Sequence, residues 1–204
     1  MNAILKNHIL LLALIALPIF IGLSGCSTND DDKFVPTLPP ITQTGENTFG
    51  CYVDGKLLIP RDGTASIPPN KGMLMFIGPG PINFTYHDLR ARDYKDDGGI
   101  FNLHITGLRE NWEGTHIINE GNCRNGIDAM PNINLYIRWW DEVAQAFKWY
   151  CSLENGGILT ISRHDVENGI ISGTFNSTVV NQDKHDDFIE ITEGRFDIHT
   201  ITLS

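Results

Sequence analysis

The feature that most constrains this chain is a two-residue alternation of apolar and polar side chains, broken at short intervals by turn residues, from Thr48 onward. Phe49, Cys51 and Val53 alternate with Gly50 and Tyr52, Ile82, Phe84 and Tyr86 with Asn83, Thr85 and His87, and Phe101, Leu103 and Ile105 with Asn102, His104 and Thr106. Successive side chains of a strand point to opposite faces, so this period belongs to half-buried strands rather than helices. Asp54-Gly55 predicts a two-residue hairpin turn, because both positions tolerate positive φ. Residues 61–71, 78–81, 90–99 and 119–131 are rich in Gly, Pro or charge and predict loops. Near the end, strands are expected at 157–163, 169–180, 188–192 and 195–203, with turns at 165–168, 181–187 and Glu193-Gly194. No helical period outlasts a turn. About ten short strands at this spacing predict an all-β fold, an antiparallel β-sandwich, with a closed lipocalin-like barrel as the alternative.

The first 25 residues read differently. Ile9 to Ile21 is almost wholly apolar and is preceded by Lys6. It falls short of the roughly 20 apolar residues a spanning helix needs, but matches a signal-peptide core. Leu23-Ser24-Gly25-Cys26 follows, with small residues where a peptidase needs room. Cys26 is therefore the expected lipid acceptor, with residues 1–25 a lipoprotein signal peptide. Each buried acyl CH₂ contributes about 0.8 kcal/mol, so several chains on Cys26 hold a domain to a bilayer without a transmembrane helix. The chain's formal charge is −10, and since Lys6 is the only charge before Cys26, the remainder carries −11. An acidic chain without a Lys/Arg cluster excludes nucleic acid as the expected partner.

Residues 26–46 form the next segment. Ser27 to Lys33 is polar and acidic, and Pro36, Pro39 and Pro40 follow. Proline fixes φ and removes donors, so a disordered, semi-extended spacer is expected here, with a single β domain over 47–204. Cys26 followed by Asp30, Asp31 and Asp32 resembles the acidic export signal of Bacteroidota surface lipoproteins. Residues 44–56 (Thr-Gly-Glu-Asn-Thr-Phe-Gly-Cys-Tyr-Val-Asp-Gly-Lys), together with residues 159–163, 171–175 and 191–197, resemble a family of small lipoproteins from the same bacteria. The resemblance covers the tail and both ends of the domain, and not residues 60–151. It implies outer-membrane attachment and a β fold, and carries over no catalytic residue. Its acidic run begins a few positions after Cys26 rather than immediately, so the periplasmic face stays open beside the cell surface.

The hairpin around residue 141 supplies the candidate binding surface. Ile133, Leu135, Ile137 and Trp139 share one face of its first strand, and Phe147, Trp149 and Cys151 one face of its second. A three-residue turn over 141–143 would bring these apolar sets to the same side. The outer face would then carry Tyr136, Arg138, Trp140, Lys148 and Tyr150. Aromatic faces stack on sugar rings or anchor protein partners, and cross-strand aromatic pairs also stabilise hairpins by themselves.

The remaining chemistry-bearing residues form no recognisable site. Cys51, Cys123 and Cys151 cannot all pair within one chain, and Cys51 and Cys151 are expected to be buried thiols. No Cys-x-x-Cys, His-x-x-x-His or Gly-x-Ser-x-Gly occurs. Asp93, Asp96 and Asp97 lack the alternating spacing of a calcium loop. No metal, cofactor or catalytic residue is therefore expected. The leading expectation is a lipid-anchored, non-catalytic module for a glycan or protein partner. A barrel carrying an apolar ligand and a glycan-active hydrolase are the alternatives.

Overall fold

The computed structural model describes residues 35–64, 66–80, 84–96, 99–108, 112–123 and 130–203. The signal segment, Cys26 and Asp30 to Asp32 lie outside the described residues. Residues 36–204 form one compact unit.

The domain is all-β and antiparallel, as the alternation predicts. Its strands are β1 (Thr48–Val53), β2 (Lys56–Leu58), β3 (Met73–Pro79), β4 (Thr85–Arg92), β5 (Ile100–Thr106), β6 (Gly114–Ile118), β7 (Asn134–Asp141), β8 (Ala146–Asp165), β9 (Ile170–Asn181) and β10 (Phe188–His199), followed by a one-turn helix α1 (Thr200–Leu203). The hydrogen-bonded order is β2-β1-β10-β9-β8-β7-β5-β4-β3, with β6 on β8. This single path curls into a half-barrel. Its facing walls pack on each other as the layers of a sandwich do. Phe49 of β1, Phe101 of β5 and Phe175 of β9 meet at the centre with ring centroids 5.0–5.8 Å apart. Fully burying one such ring contributes about 1.5–3 kcal/mol. The two ends of the strip approach each other through Arg61, which follows β2. Its N–H donates to Arg92 O at 3.2 Å, and Tyr94 N–H donates to Arg61 O at 3.0 Å.

The Asp54-Gly55 turn is as expected, with φ of 48° and 74° and Val53 paired with Lys56. The expected breaks later in the chain are absorbed as irregularities. Residues 146–165 are one strand whose register shifts between Ser152 and Gly157. Phe188–His199 is likewise continuous, because Glu193 takes φ 51° and lets the register shift between Ile191 and Gly194. A bulge turns one ladder more sharply instead of ending it. The expected strand at 195–203 stops at His199, and Thr200–Leu203 is helical. The expected charged connection at 90–99 begins later, because Leu89 and Ala91 are fully buried while Arg90 and Arg92 extend β4.

Two further expectations are corrected. Residues 36–46 are a docked strap rather than a free spacer. One carboxylate organises them: Asp197, 1% exposed, accepts hydrogen bonds from Thr42 Oγ1 (2.8 Å) and from the backbone N–H groups of Thr44 (2.9 Å), Gly45 (2.9 Å) and Glu46 (3.2 Å). Ser172 Oγ donates to it at 2.6 Å. Burial alone would raise the Asp197 pKa, but these donors outweigh it and hold the carboxyl down at about 2. Gly50 makes room for the strap, since a Cβ there would lie 2.6 Å from Pro39 Cδ.

The second correction concerns the cysteines. Cys123 and Cys151 form a disulfide with Cα atoms 5.3 Å apart, and among the described residues Cys51 is the free, fully buried thiol. Burial pushes the Cys51 pKa up. Cys151 is buried on the outer face of β8 and not in the half-barrel interior. Residues 119–123 are tied to β8 there by the disulfide and by Ser152, whose Oγ donates to Asn119 O at 2.6 Å. His104 of β5 is also buried, 0% exposed. Its Nδ1 is 2.5 Å from Asp88 Oδ1 and its Nε2 3.1 Å from Met130 O. Both neighbours of the ring are oxygen acceptors, so the imidazole serves as a doubly engaged cross-link.

Candidate functional site

The register of the β7–β8 hairpin decides the site. Asp141 pairs with Ala146, so the turn holds four residues, Glu142 to Gln145, where three were expected. Asp141 Oδ1 accepts from the N–H groups of Val143 and Ala144, both at 2.8 Å, and Gln145 closes the turn at φ 50°. An aspartate that caps its own turn in this way favours the longer loop. One extra residue moves every side chain of the second strand to the other face. Trp140 now pairs with Phe147 and Arg138 with Trp149, while Lys148 faces Trp139 and Tyr150 faces Ile137.

The expected platform is therefore split. Tyr136, Arg138 and Trp140 share the outer face with Phe147, Trp149 and Cys151. Tyr136 is only 1% exposed and is unavailable to a ligand. Arg138 lies over Phe147 with its guanidinium carbon 3.8 Å from the ring centroid. Lys148 and Tyr150 belong to the opposite face. Tyr150 is buried in the core, and Lys148 pairs with Asp141 and, at 3.0 Å, with Asp187. The Lys148 ammonium, with the turn N–H groups, holds the Asp141 carboxyl down at about 2.

Trp140 is the member of that set that reaches a cleft. A cavity of about 340 Å³ opens beside it. Lys56, Leu57 and Leu58 line it from β2, Asp93, Asp96 and Gly99 from the β4–β5 connection, and Trp139, Trp140, Glu142 and Phe147 from the β7–β8 hairpin. The rings of Trp140 and Phe147 lie edge to face, 5.1 Å between centroids and 75° between planes. Trp139 is the neighbouring ring, and it approaches the backbone of Gly99 so closely that a Cβ there would lie 2.6 Å from Trp139 Cε3. Gly99 therefore sets the position of one aromatic wall.

The charges around these rings are largely paired. Lys56 Nζ lies 2.8 Å from Glu142 Oε1, and Trp140 Nε1 donates to Glu142 Oε2 at 3.3 Å. The Lys56 ammonium lowers the Glu142 pKa. Asp93, 6% exposed, is held by Arg61, whose Nε donates at 2.8 Å and Nη2 at 2.5 Å, and by Lys95 N–H at 2.9 Å. Asp96 is exposed and forms no ion pair among the described residues.

Of the residues lining this cleft, Trp140 is the one expected from the sequence as a binding residue. Lys56, Asp93, Asp96, Gly99, Trp139, Glu142 and Phe147 come from segments up to 91 residues apart along the chain, and no local period connects them. Among the described residues no group of three His, Cys, Asp or Glu side chains could hold a metal ion, and no helix is long and apolar enough to cross a membrane. A scan against protein-family models and searches of the curated proteins and the solved structures return no match.

Proposed function

We propose that the domain is a saccharide-binding module, held to the outer membrane by lipid on Cys26 and displayed on its outer side. The observation that carries the binding reading is the cleft in which Trp139, Trp140 and Phe147 stand beside Asp96 and the Lys56–Glu142 pair. Aromatic faces take the C–H faces of a sugar ring, and adjacent charged groups take its hydroxyls. The cleft's paired carboxylates suit holding rather than proton transfer. Asp93 is committed to Arg61, and Glu142 to Lys56 and Trp140. An apolar cargo is disfavoured, because the rings of Phe49, Phe101 and Phe175 occupy the centre of the half-barrel where it would lie. The Cys123–Cys151 disulfide supports export, since such bonds persist in oxidising compartments.

The binding test is a saccharide array probed with the full-length chain in a polyoxyethylene detergent, which carries no sugar. Wild type should bind, and Trp140→Ala should bind at least about tenfold more weakly, as expected for an aromatic anchor. Unchanged binding by the variant overturns the reading. For the anchor, Cys26→Ser should abolish incorporation of labelled palmitate, and external protease on intact cells should degrade the wild-type domain. Retained label, or a protected domain, contradicts the corresponding half of the proposed location.

A further inference from the structure

Resting on the reading of this cleft as a saccharide site, the balance of its charges bears on which sugars it selects. Lys56 is neutralised by Glu142 at 2.8 Å and Arg61 by Asp93, so these four groups sum to zero. Asp96, which attracts Arg61 without forming an ion pair with it, leaves the described lining of the cleft with a net negative charge. It lines the same cleft as Trp139 and Trp140, whose ring faces are electron-rich and attract cations, whereas Phe147 already carries the Arg138 guanidinium 3.8 Å from its centroid. The whole chain, at −10, adds a field of the same sign, which a cleft with apolar walls focuses. We infer that the cleft selects saccharides bearing a protonated amine, such as 2-amino-2-deoxy sugars, over their N-acetylated counterparts and against sugars bearing carboxylate or sulfate.

The selectivity has a structural logic in three parts. The ring of an amino sugar stacks as any pyranose does, so the aromatic wall supplies affinity without discrimination. Its ammonium gains from the ring faces and from Asp96, a gain that acetylation removes. A carboxylate or sulfate meets the same Asp96 as a like charge. Lys56 and Arg61 offer it little, because taking the anion would separate each from its present partner.

The test compares β-1,4-linked glucosamine hexamer, N-acetylglucosamine hexamer and a galacturonate hexamer by calorimetry at pH 6 and low salt, using the full-length chain in the same detergent. The expected result is that the free-amine oligomer binds about 3- to 10-fold more tightly than the acetylated one, and that the uronate binds least. Asp96→Asn should bring the first two within about twofold of each other while keeping the acetylated oligomer's affinity. Asp186→Asn removes one acid at the exposed β9–β10 turn and should leave the preference intact, which separates Asp96 from general acidity. Equal binding of the two hexamers, a preference that survives Asp96→Asn, or its equal loss in Asp186→Asn overturns the inference while the saccharide reading stands. Binding of none of the three, together with an empty saccharide array, overturns both.

Discussion

Lys56 and Glu142, 86 residues apart, lie with ammonium and carboxylate 2.8 Å apart, and this pair joins the first hairpin to the tip of the β7–β8 hairpin across the cleft. Both side chains are more than half exposed, so the pair shapes the site more than it stabilises the fold. Lys56→Ala should change unfolding free energy by less than about 1 kcal/mol in a denaturant titration. It should also free the Glu142 carboxylate and enlarge the preference for amine-bearing sugars, measured by the same calorimetric comparison. A smaller preference would contradict the cleft's proposed charge logic.

Gly99 gives a second handle on the cleft. A methyl group there would meet the backbone oxygen of Arg138 first, and would lie 2.6 Å from the Trp139 ring. Gly99→Ala should shift β7 at Arg138 together with that ring, weakening saccharide binding several-fold while the far-UV dichroism stays that of a β protein. Binding equal to wild type would show that Trp139 is no part of the recognition surface.

Asp197 links the strap to the barrel and makes stability depend on pH. Its folded pKa, about 2, lies below the ordinary aspartate value of 3.8. The linked stability is therefore present above pH 4 and is lost as pH falls through 2, by about 2 kcal/mol in all. His87 adds an earlier step of the same sign. Burial, with His164 nearby, pulls its pKa down from 6.5 to about 4, so the unfolded chain binds a proton first as pH falls below 6.5. Asp197→Asn presents an N–H group to N–H donors, and should lower stability by about 2–4 kcal/mol. It should also expose residues 36–46 to proteinase K. A variant as resistant as wild type would show that the strap is held by its prolines instead.

The disulfide closes a loop of 28 residues in sequence separation. Reduction, or Cys123→Ser, should lower stability by about 2–4 kcal/mol. In the oxidised folded domain Cys51 should resist maleimide, since it is fully buried, and label only on unfolding. Prompt labelling of a folded, unreduced Cys26→Ser sample would refute the assignment of Cys51 as the buried free thiol.

His104 and Asp88 are buried at 0% and 3% exposure. Removing one partner leaves the other's polar atoms in a dry site. His104→Ala should therefore cost about 3–5 kcal/mol, measured by thermal unfolding, with saccharide binding at the distant cleft unchanged. A loss under about 1 kcal/mol would mean that solvent reaches this pair.

Local alternation in the sequence determined that this domain is all-β, where most strands lie, and that Asp54-Gly55 turns the first hairpin. It did so because strand period and turn chemistry act between residues close in the chain. Alternation likewise placed Trp140 on the outer face of its strand beside Tyr136 and Arg138, since that too is a local relation. Whether bulges at Gly157 and Glu193 end strands or bend them depends on neighbouring ladders, and the tertiary structure decided it. The same holds for the face of Lys148 and Tyr150. One residue more in the turn, stabilised by Asp141 binding its own loop, inverted the second strand and split the expected surface. The Cys123–Cys151 bond, the strap on Asp197 and the cleft itself join residues far apart in the chain. Only the curl of the sheet, which brings Lys56 to Glu142, puts Asp96 beside the rings of Trp139, Trp140 and Phe147.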